Sequence, residues 1–160
     1  MSKSLKRVER ALAGAGLAVT IRETSASARS AAEAAAAVGC ELDQIAKSIV
    51  FRADEDGHLV LFLTAGGNRV DPALASQVAG RTLGRADAGL VRAETGFAIG
   101  GVAPVGHLRP IPTWMDPRLD DFALVWAAAG TPRHVFAIAP ADLARLTGAR
   151  RAQFTAQAGM

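Results

Sequence analysis

The sequence predicts an α+β domain: a central mixed, largely antiparallel β-sheet flanked by helices. Strand-like and helix-like stretches alternate irregularly, without the steady rhythm of a doubly wound fold. Two pairs of strand-like stretches, residues 45–53 with 58–65 and 122–130 with 133–139, are joined by turns too short for a parallel crossover. At 160 residues the chain is long enough for one real core and short for two, so a single domain over 1–160 is expected.

The elements follow in order. SLKRVERALAGAG carries Leu5, Val8 and Leu12 at helical spacing and ends in glycines. LAVTIRET, residues 17–24, alternates as a strand does. Ser30 and Glu33 form a capping-box pattern before an Ala-rich helix that stops at Gly39. IAKSIVFRA and HLVLFLTA flank the acidic turn DEDG and read as a hairpin, the second strand being the more apolar and the more central. Asp71 and Pro72 supply an N-cap and a preset first residue for a helix ending at Gly80, and DAGLVRAETG predicts another short helix. A Gly/Pro-rich segment, residues 96–116, precedes two strands joined across GTP, and PADLARLTG closes as a helix.

Bulk properties narrow the function classes. No window approaches the roughly 18 apolar residues of a membrane span, and the charged start lacks a signal peptide's apolar core, so a cytoplasmic protein with no membrane partner is expected. Cys40 is the one cysteine, which rules out an intrachain disulfide and reads as a small apolar residue. A formal charge of +3 gives only a weak expectation of polyanion binding. The basic residues gather at Lys3 and Lys6 of the N-terminal leader with Arg7, Arg10, Arg22 and Arg29, and at Arg145, Arg150 and Arg151, where phosphates or plain solvent would suit them.

Familiar catalytic patterns are missing. There is no GxSxG elbow, no GxxxxGK[ST] loop, no GxGxxG and no cysteine pair. His58, His107 and His134 are far apart, so neither a metal nor another cofactor is expected. What stands out is Lys47, inside the apolar strand QIAKSIVF. The other lysines are Lys3 and Lys6, and the remaining basic residues are arginines. A chain with that habit places Arg at generic surface positions, so Lys47 hints that a compact ammonium is needed. The plainer alternative is an edge-strand Lys whose stem covers apolar surface.

Two glycine loops complete the picture. Gly96, Gly100, Gly101 and Gly106 fall within eleven residues, a density that lets backbone approach a ligand closely. The second loop, Gly66-Gly67-Asn68, ends the strand that pairs with the one bearing Lys47. The hairpin turn lies at the other end, so Lys47 and this loop are brought together. An ammonium beside exposed backbone groups forms an anion or carbonyl site.

The helix ending in VG, then QIAKSIVF, AGGNRVD, ETGFAIGGVAPVG and WMD, in this order over residues 25–150, resembles the YbaK/EbsC-type family. These proteins are free-standing relatives of the editing domain inserted in bacterial prolyl-tRNA synthetases. The resemblance implies trans-editing: hydrolysis of the ester joining a wrong, small amino acid to the terminal ribose of tRNA, most often the tRNA for proline. It implies aminoacyl-tRNA as partner, with prolyl-tRNA synthetase as a further one, and we expect a monomer. The family's essential lysine maps onto Lys47 and its GxxxP loop onto Gly100 to Pro104. Lys47, Gly100 and Gly101 are thereby candidate catalytic groups. Gly66, Gly67, Asn68, Thr95, Gly96, Val102 and Pro104 are candidate substrate-binding residues, while Ser48 points to the other face of its strand. An aminoacyl ester is already reactive, so no protein nucleophile is required. Whether Lys47 meets a phosphate or a carbonyl, whether water, a ribose hydroxyl or a substrate group attacks, and which amino acid is removed stay open. The competing possibility is a noncatalytic nucleic-acid-binding or regulatory module that uses the basic termini.

Overall fold

The structure is a computed structural model and describes residues 2–25 and 27–156. Helix α1 (Lys3–Gly14) starts where the Ser2 hydroxyl accepts the Leu5 amide at 3.0 Å. Its stripe of Leu5, Val8 and Leu12 is buried in the main core. The guanidinium of Arg7 lies over the Phe97 ring, 5.2 Å from its centre. The basic helix at the start of the chain is thus packed into the main core.

Only the end of the 17–24 stretch becomes strand, β1 (Ile21–Glu23). Helix α2 (Ala31–Val38) opens on Ser30, whose hydroxyl accepts the Glu33 amide at 3.1 Å. Glu33 reaches back to the Ser30 hydroxyl and the Arg29 amide, one residue earlier than the expected box. Gly39 ends the helix in the left-handed region at φ 74°. One 3-10 turn (Leu42–Gln44) leads into β2 (Ala46–Ala53), which forms the expected hairpin with β3 (Leu59–Ala65).

Asp71 caps α3 (Pro72–Ala79) by accepting the Ala73 amide at 2.9 Å, and the predicted helix after Asp87 is α4 (Ala88–Thr95). The later strand pair is β6 (Val125–Ala128) with β7 (His134–Ile138), followed by α5 (Pro140–Thr147). Three strands escape the sequence pattern: β4 (Leu83–Arg85), β5 (Thr113–Met115) and β8 (Arg150–Arg151). Two or three residues are too few to display alternation.

The sheet is mixed and largely antiparallel, as expected, but it parts into two. One portion has the order β1-β7-β6 and the other β4-β2-β3-β5-β8. Pairing is antiparallel except for β5, which runs parallel to both β3 and β8. A parallel bridge between Ile45 and Trp126 joins the portions. Strand β3 is buried along its whole length and sits in the middle of its portion, which explains its uninterrupted apolar sequence. Phe62 on β3 stacks on Trp114 at 5.2 Å and meets Phe154 edge-on at 4.8 Å, anchoring the second core cluster.

Because α1 completes the main core, Leu12→Ala is expected to cost about 2–5 kcal/mol. Thermal unfolding should then fall by about 2–4 °C for each kcal/mol lost. An unfolding temperature unchanged by this substitution would show α1 to be peripheral.

Candidate functional site

The two portions of the sheet diverge beyond the Ile45–Trp126 bridge, and a cavity of about 330 Å³ opens between them. Its walls come from β2, the start of α2, the β6 and β7 strands, and the Gly100 loop. Strand β4 joins β2 only from Phe51 onward. The stretch between bridge and β4 is therefore a strand edge facing the cavity.

Lys47 lies on that stretch. Its Nζ donates to the Asn68 carbonyl oxygen at 2.7 Å, so the hairpin brings the lysine to the GGN turn as its geometry required. The half-buried ammonium has a pKa lowered from 10.5, chiefly because burial strips water from the charge. Arg69 lowers it further, while Asp116 and Asp43 oppose the shift. Neither carboxylate is consumed by Lys47. Asp116 accepts from the Ala65 amide at 3.1 Å, the Asn68 side-chain amide at 2.8 Å and the Arg118 amide at 3.0 Å. Asp43 accepts from the Gly67 amide at 2.8 Å and Arg118 Nε at 2.9 Å. An ammonium has three protons, so one bond to Asn68 leaves two for a ligand.

The glycine loops serve different purposes. A Cβ on Gly66 would collide with the Leu42 carbonyl oxygen, and one on Gly67 with the Asp43 carboxylate. Both are glycines because the turn presses on the 3-10 segment, and neither lines the cavity. Asn68 contributes its carbonyl to Lys47 and is absent from the cavity wall. Gly100 (φ 96°) and Val102 do line it, with open space where a Gly100 Cβ would be. Gly101 abuts the β6–β7 turn, its missing Cβ 3.1 Å from Thr131 Cα. Pro104 is buried beside this loop. Thr95 is buried and bonded within the end of α4, accepting the Phe97 amide at 3.0 Å, and Gly96 caps that helix at φ 82°. Thr95, Gly96, Gly101 and Pro104 are likewise absent from the wall; they shape and hold its loop.

Several contributors were not singled out in the sequence. Asp116 precedes Pro117, the same Asp-Pro signal that marked Asp71, but its bonds to Ala65 and Asn68 link residues 48 or more apart and leave no local trace. Trp126 and Ser30 at the cavity wall carry no sequence sign of that role. Ser48, assigned to the opposite face, also lines the wall, because the cavity meets the strand edge and both faces are reached from it. His107 braces the GxxxP loop, its Nε2 lying 2.7 Å from the Ala103 carbonyl oxygen, which fixes that nitrogen as the donor. Burial pushes its pKa below 6.5, and this bond opposes the shift.

Comparison with known proteins gives the class: the chain belongs to the aminoacyl-tRNA editing domain family, whose model matches residues 25–146. Aminoacyl-tRNA is the substrate class that this membership implies. Among particular relatives, the chain is similar to YwhH of Bacillus subtilis (strain 168), an uncharacterized protein. The two are 28% identical over 127 residues, 79% of this chain and 80% of the other. It is also similar to the crystal structure of a candidate trans-editing enzyme for prolyl tRNA synthetase, with 45% identity and a TM-score of 0.91, over 98% of this chain and 99% of that one. A third, the hypothetical protein APE2540, is 26% identical with a TM-score of 0.85, over 94% and 99% of the two chains. Among the described residues, no helix is long and apolar enough to cross a membrane.

Gly66→Ala is expected to cost about 1–3 kcal/mol, as forced overpacking does, read as a lower denaturation midpoint. His107 makes a second prediction. With its folded pKa depressed, the unfolded chain takes up the proton first as pH falls. The contribution is full above about 6.5 and is lost as pH falls through the lower folded value. Urea denaturation at pH 7.5 and pH 5 should show a smaller acid loss in His107→Gln than in the parent; equal losses would remove His107 from the account.

Proposed function

We propose that the protein is a trans-editing deacylase that hydrolyses the ester of mischarged tRNA, the tRNA for proline carrying a small wrong amino acid. The observation that supports it most is the desolvated Lys47 ammonium, held by one bond at the wall of a cavity that Gly100 leaves open. Membership of the editing family agrees with this chemistry. The choice of proline tRNA, and an association with prolyl-tRNA synthetase, rest on the relative described as a candidate trans-editing enzyme for that synthetase.

The chemistry needs placement more than activation. The oxygen of water attacks the ester carbonyl carbon, the bond from that carbon to the ribose oxygen breaks, and the ribose oxygen regains a proton. Negative charge develops on the carbonyl oxygen in the transition state. The free protons of Lys47 are suited to stabilise it, in a site where displaced water strengthens the interaction. The Gly100 backbone is suited to hold the aminoacyl group, since no side chain screens it.

Lys47→Ala should fold normally and lose deacylation by at least about 100-fold, the scale of deleting one oxyanion donor. Lys47→Arg should remain impaired, because a planar fork on a longer stem does not reproduce a compact ammonium. The measurement is release of amino acid from a panel of tRNAs mischarged with Cys, Ala, Ser, Thr and nonprotein analogues. Full activity of Lys47→Ala on the panel would sink the mechanism; salt-sensitive retention without hydrolysis by the parent would favour a binding module.

A further inference from the structure

The β2 edge inside the cavity has a directional pattern of its own. On β3, the Leu59 amide bonds Glu94, the Leu61 amide bonds the Pro112 carbonyl and the Ala65 amide bonds Asp116. The Leu63 carbonyl accepts from the Asp116 amide. Odd-numbered β3 residues thus turn their backbone groups away from β2. The bonded pairs of the hairpin are therefore Lys47 with Thr64, Ile49 with Phe62 and Phe51 with Val60. It follows that Ser48 and Val50 direct N–H and C=O toward the cavity. No strand pairs with them on that side, since β6 bridges only at Ile45 and β4 begins at Phe51.

Unpaired backbone groups in an apolar recess are costly unless something meets them. A through-running peptide strand does not fit, because the open stretch is shut at one end by the bridge and at the other by β4. A flat heterocycle does. The cavity of about 330 Å³ falls at the small end of the range for small-molecule sites, roughly 300–1,000 Å³. Val102 and Trp126 supply apolar surface for its faces. A carbonyl followed two residues later by an amide presents acceptor then donor along one edge. Adenine carries the complement, the N6 amino donor beside the N1 acceptor. Val50 stands three residues from Lys47, about 10 Å along the strand at roughly 3.4 Å per residue.

We infer that the open β2 edge recognises the terminal adenine of tRNA, the Ser48 carbonyl accepting from N6 and the Val50 amide donating to N1. This rests on the deacylase reading and deepens it. The base docks on the strand edge, and the ribose ester is carried back toward Lys47 and Gly100. Selectivity for the last nucleotide then comes from backbone, while the amino acid is examined elsewhere in the cavity.

The test uses the trinucleotide CCA and the same trinucleotide ending in inosine, titrated into the intact protein by amide NMR. Inosine reverses the pattern, with an acceptor at position 6 and an N–H at position 1, so each group faces its like. CCA should shift the Ser48 and Val50 amide resonances and bind at least tenfold tighter than the inosine form. Equal affinities, shifts confined to other segments, or no binding of CCA up to millimolar concentration would overturn the inference. Val50→Pro removes the cavity-side donor without touching the β3 ladder, as an edge proline can. It should lower the adenine-to-inosine ratio without abolishing it, since the Ser48 carbonyl still distinguishes the N6 amino group from the inosine 6-oxo group, whereas a merely structural effect would weaken both ligands and keep the ratio. Purine riboside at the terminus, which lacks the N6 donor, gives an intermediate loss in the unaltered protein and needs no variant to fold. Hydrolysis is read separately. A mischarged tRNA ending in inosine that is cleaved as fast as normal tRNA removes the base contact and leaves the deacylase. A preserved adenine preference with no hydrolysis of any mischarged tRNA removes the deacylase and leaves the base contact.

Discussion

The site depends on one backbone constraint: the outer edge of β2 has two different neighbours and, between them, none. At Ile45 it bridges β6, from Phe51 it pairs with β4, and the stretch in between is left open. On its other side β2 pairs with β3 from Ala46 to Arg52, so the strand remains regular while its neighbours part. The Gln44 side chain ties the divergence point further by donating to the Leu124 carbonyl at 3.0 Å. One wall of this cavity is thus a strand held along its other edge by a full antiparallel ladder.

The lysine sits where this constraint costs most. Burial opposes its charge, and the compensation comes from two carboxylates that hold other donors and act on Lys47 through space. Direct pairing with either would have fixed the ammonium in a salt bridge and taken its protons. Bonding to the neutral Asn68 carbonyl orients it and leaves charge available. Asp116 makes that possible by fixing Asn68 through its side chain while the Asn68 carbonyl stays turned to Lys47.

Local signals made much of this legible. The hairpin, the caps at Ser30 and Asp71, the α4 helix and the meeting of Lys47 with GGN all follow from short-range patterns, because turns and caps are decided by residues a few positions apart. The parting of the sheet was not legible, since pairing at an edge depends on which distant strand arrives there. Strands β4, β5 and β8 are too short to announce themselves. The glycines were recognised as unusual, but their reasons differ in a way that composition does not reveal. Gly66 and Gly67 are excluded volume against the 3-10 segment, Gly96 is a helix cap, and Gly100 alone among the singled-out glycines faces the cavity. A glycine that clears space for its own chain and one that opens onto a cavity look the same in sequence.

For the deacylation proposed above, that difference also accounts for the many loop residues gathered around so few reactive groups. When the substrate is a reactive ester, little is gained from a stronger nucleophile and much from holding carbonyl and water in register. The loop bearing Gly100 is correspondingly fixed at several points. Gly101 lies against the β6–β7 turn, His107 bonds the Ala103 carbonyl, and Gly106 lets the Arg7 backbone of α1 approach, with its missing Cβ 3.3 Å from the Arg7 carbonyl oxygen. Helix α1 thus reaches the site through the same loop that it buries against, which ties the packing of the chain's beginning to the position of a backbone that lines the same cavity as Lys47. The residues that hold those two groups at one cavity lie mostly outside it, where they act by position and not by contact.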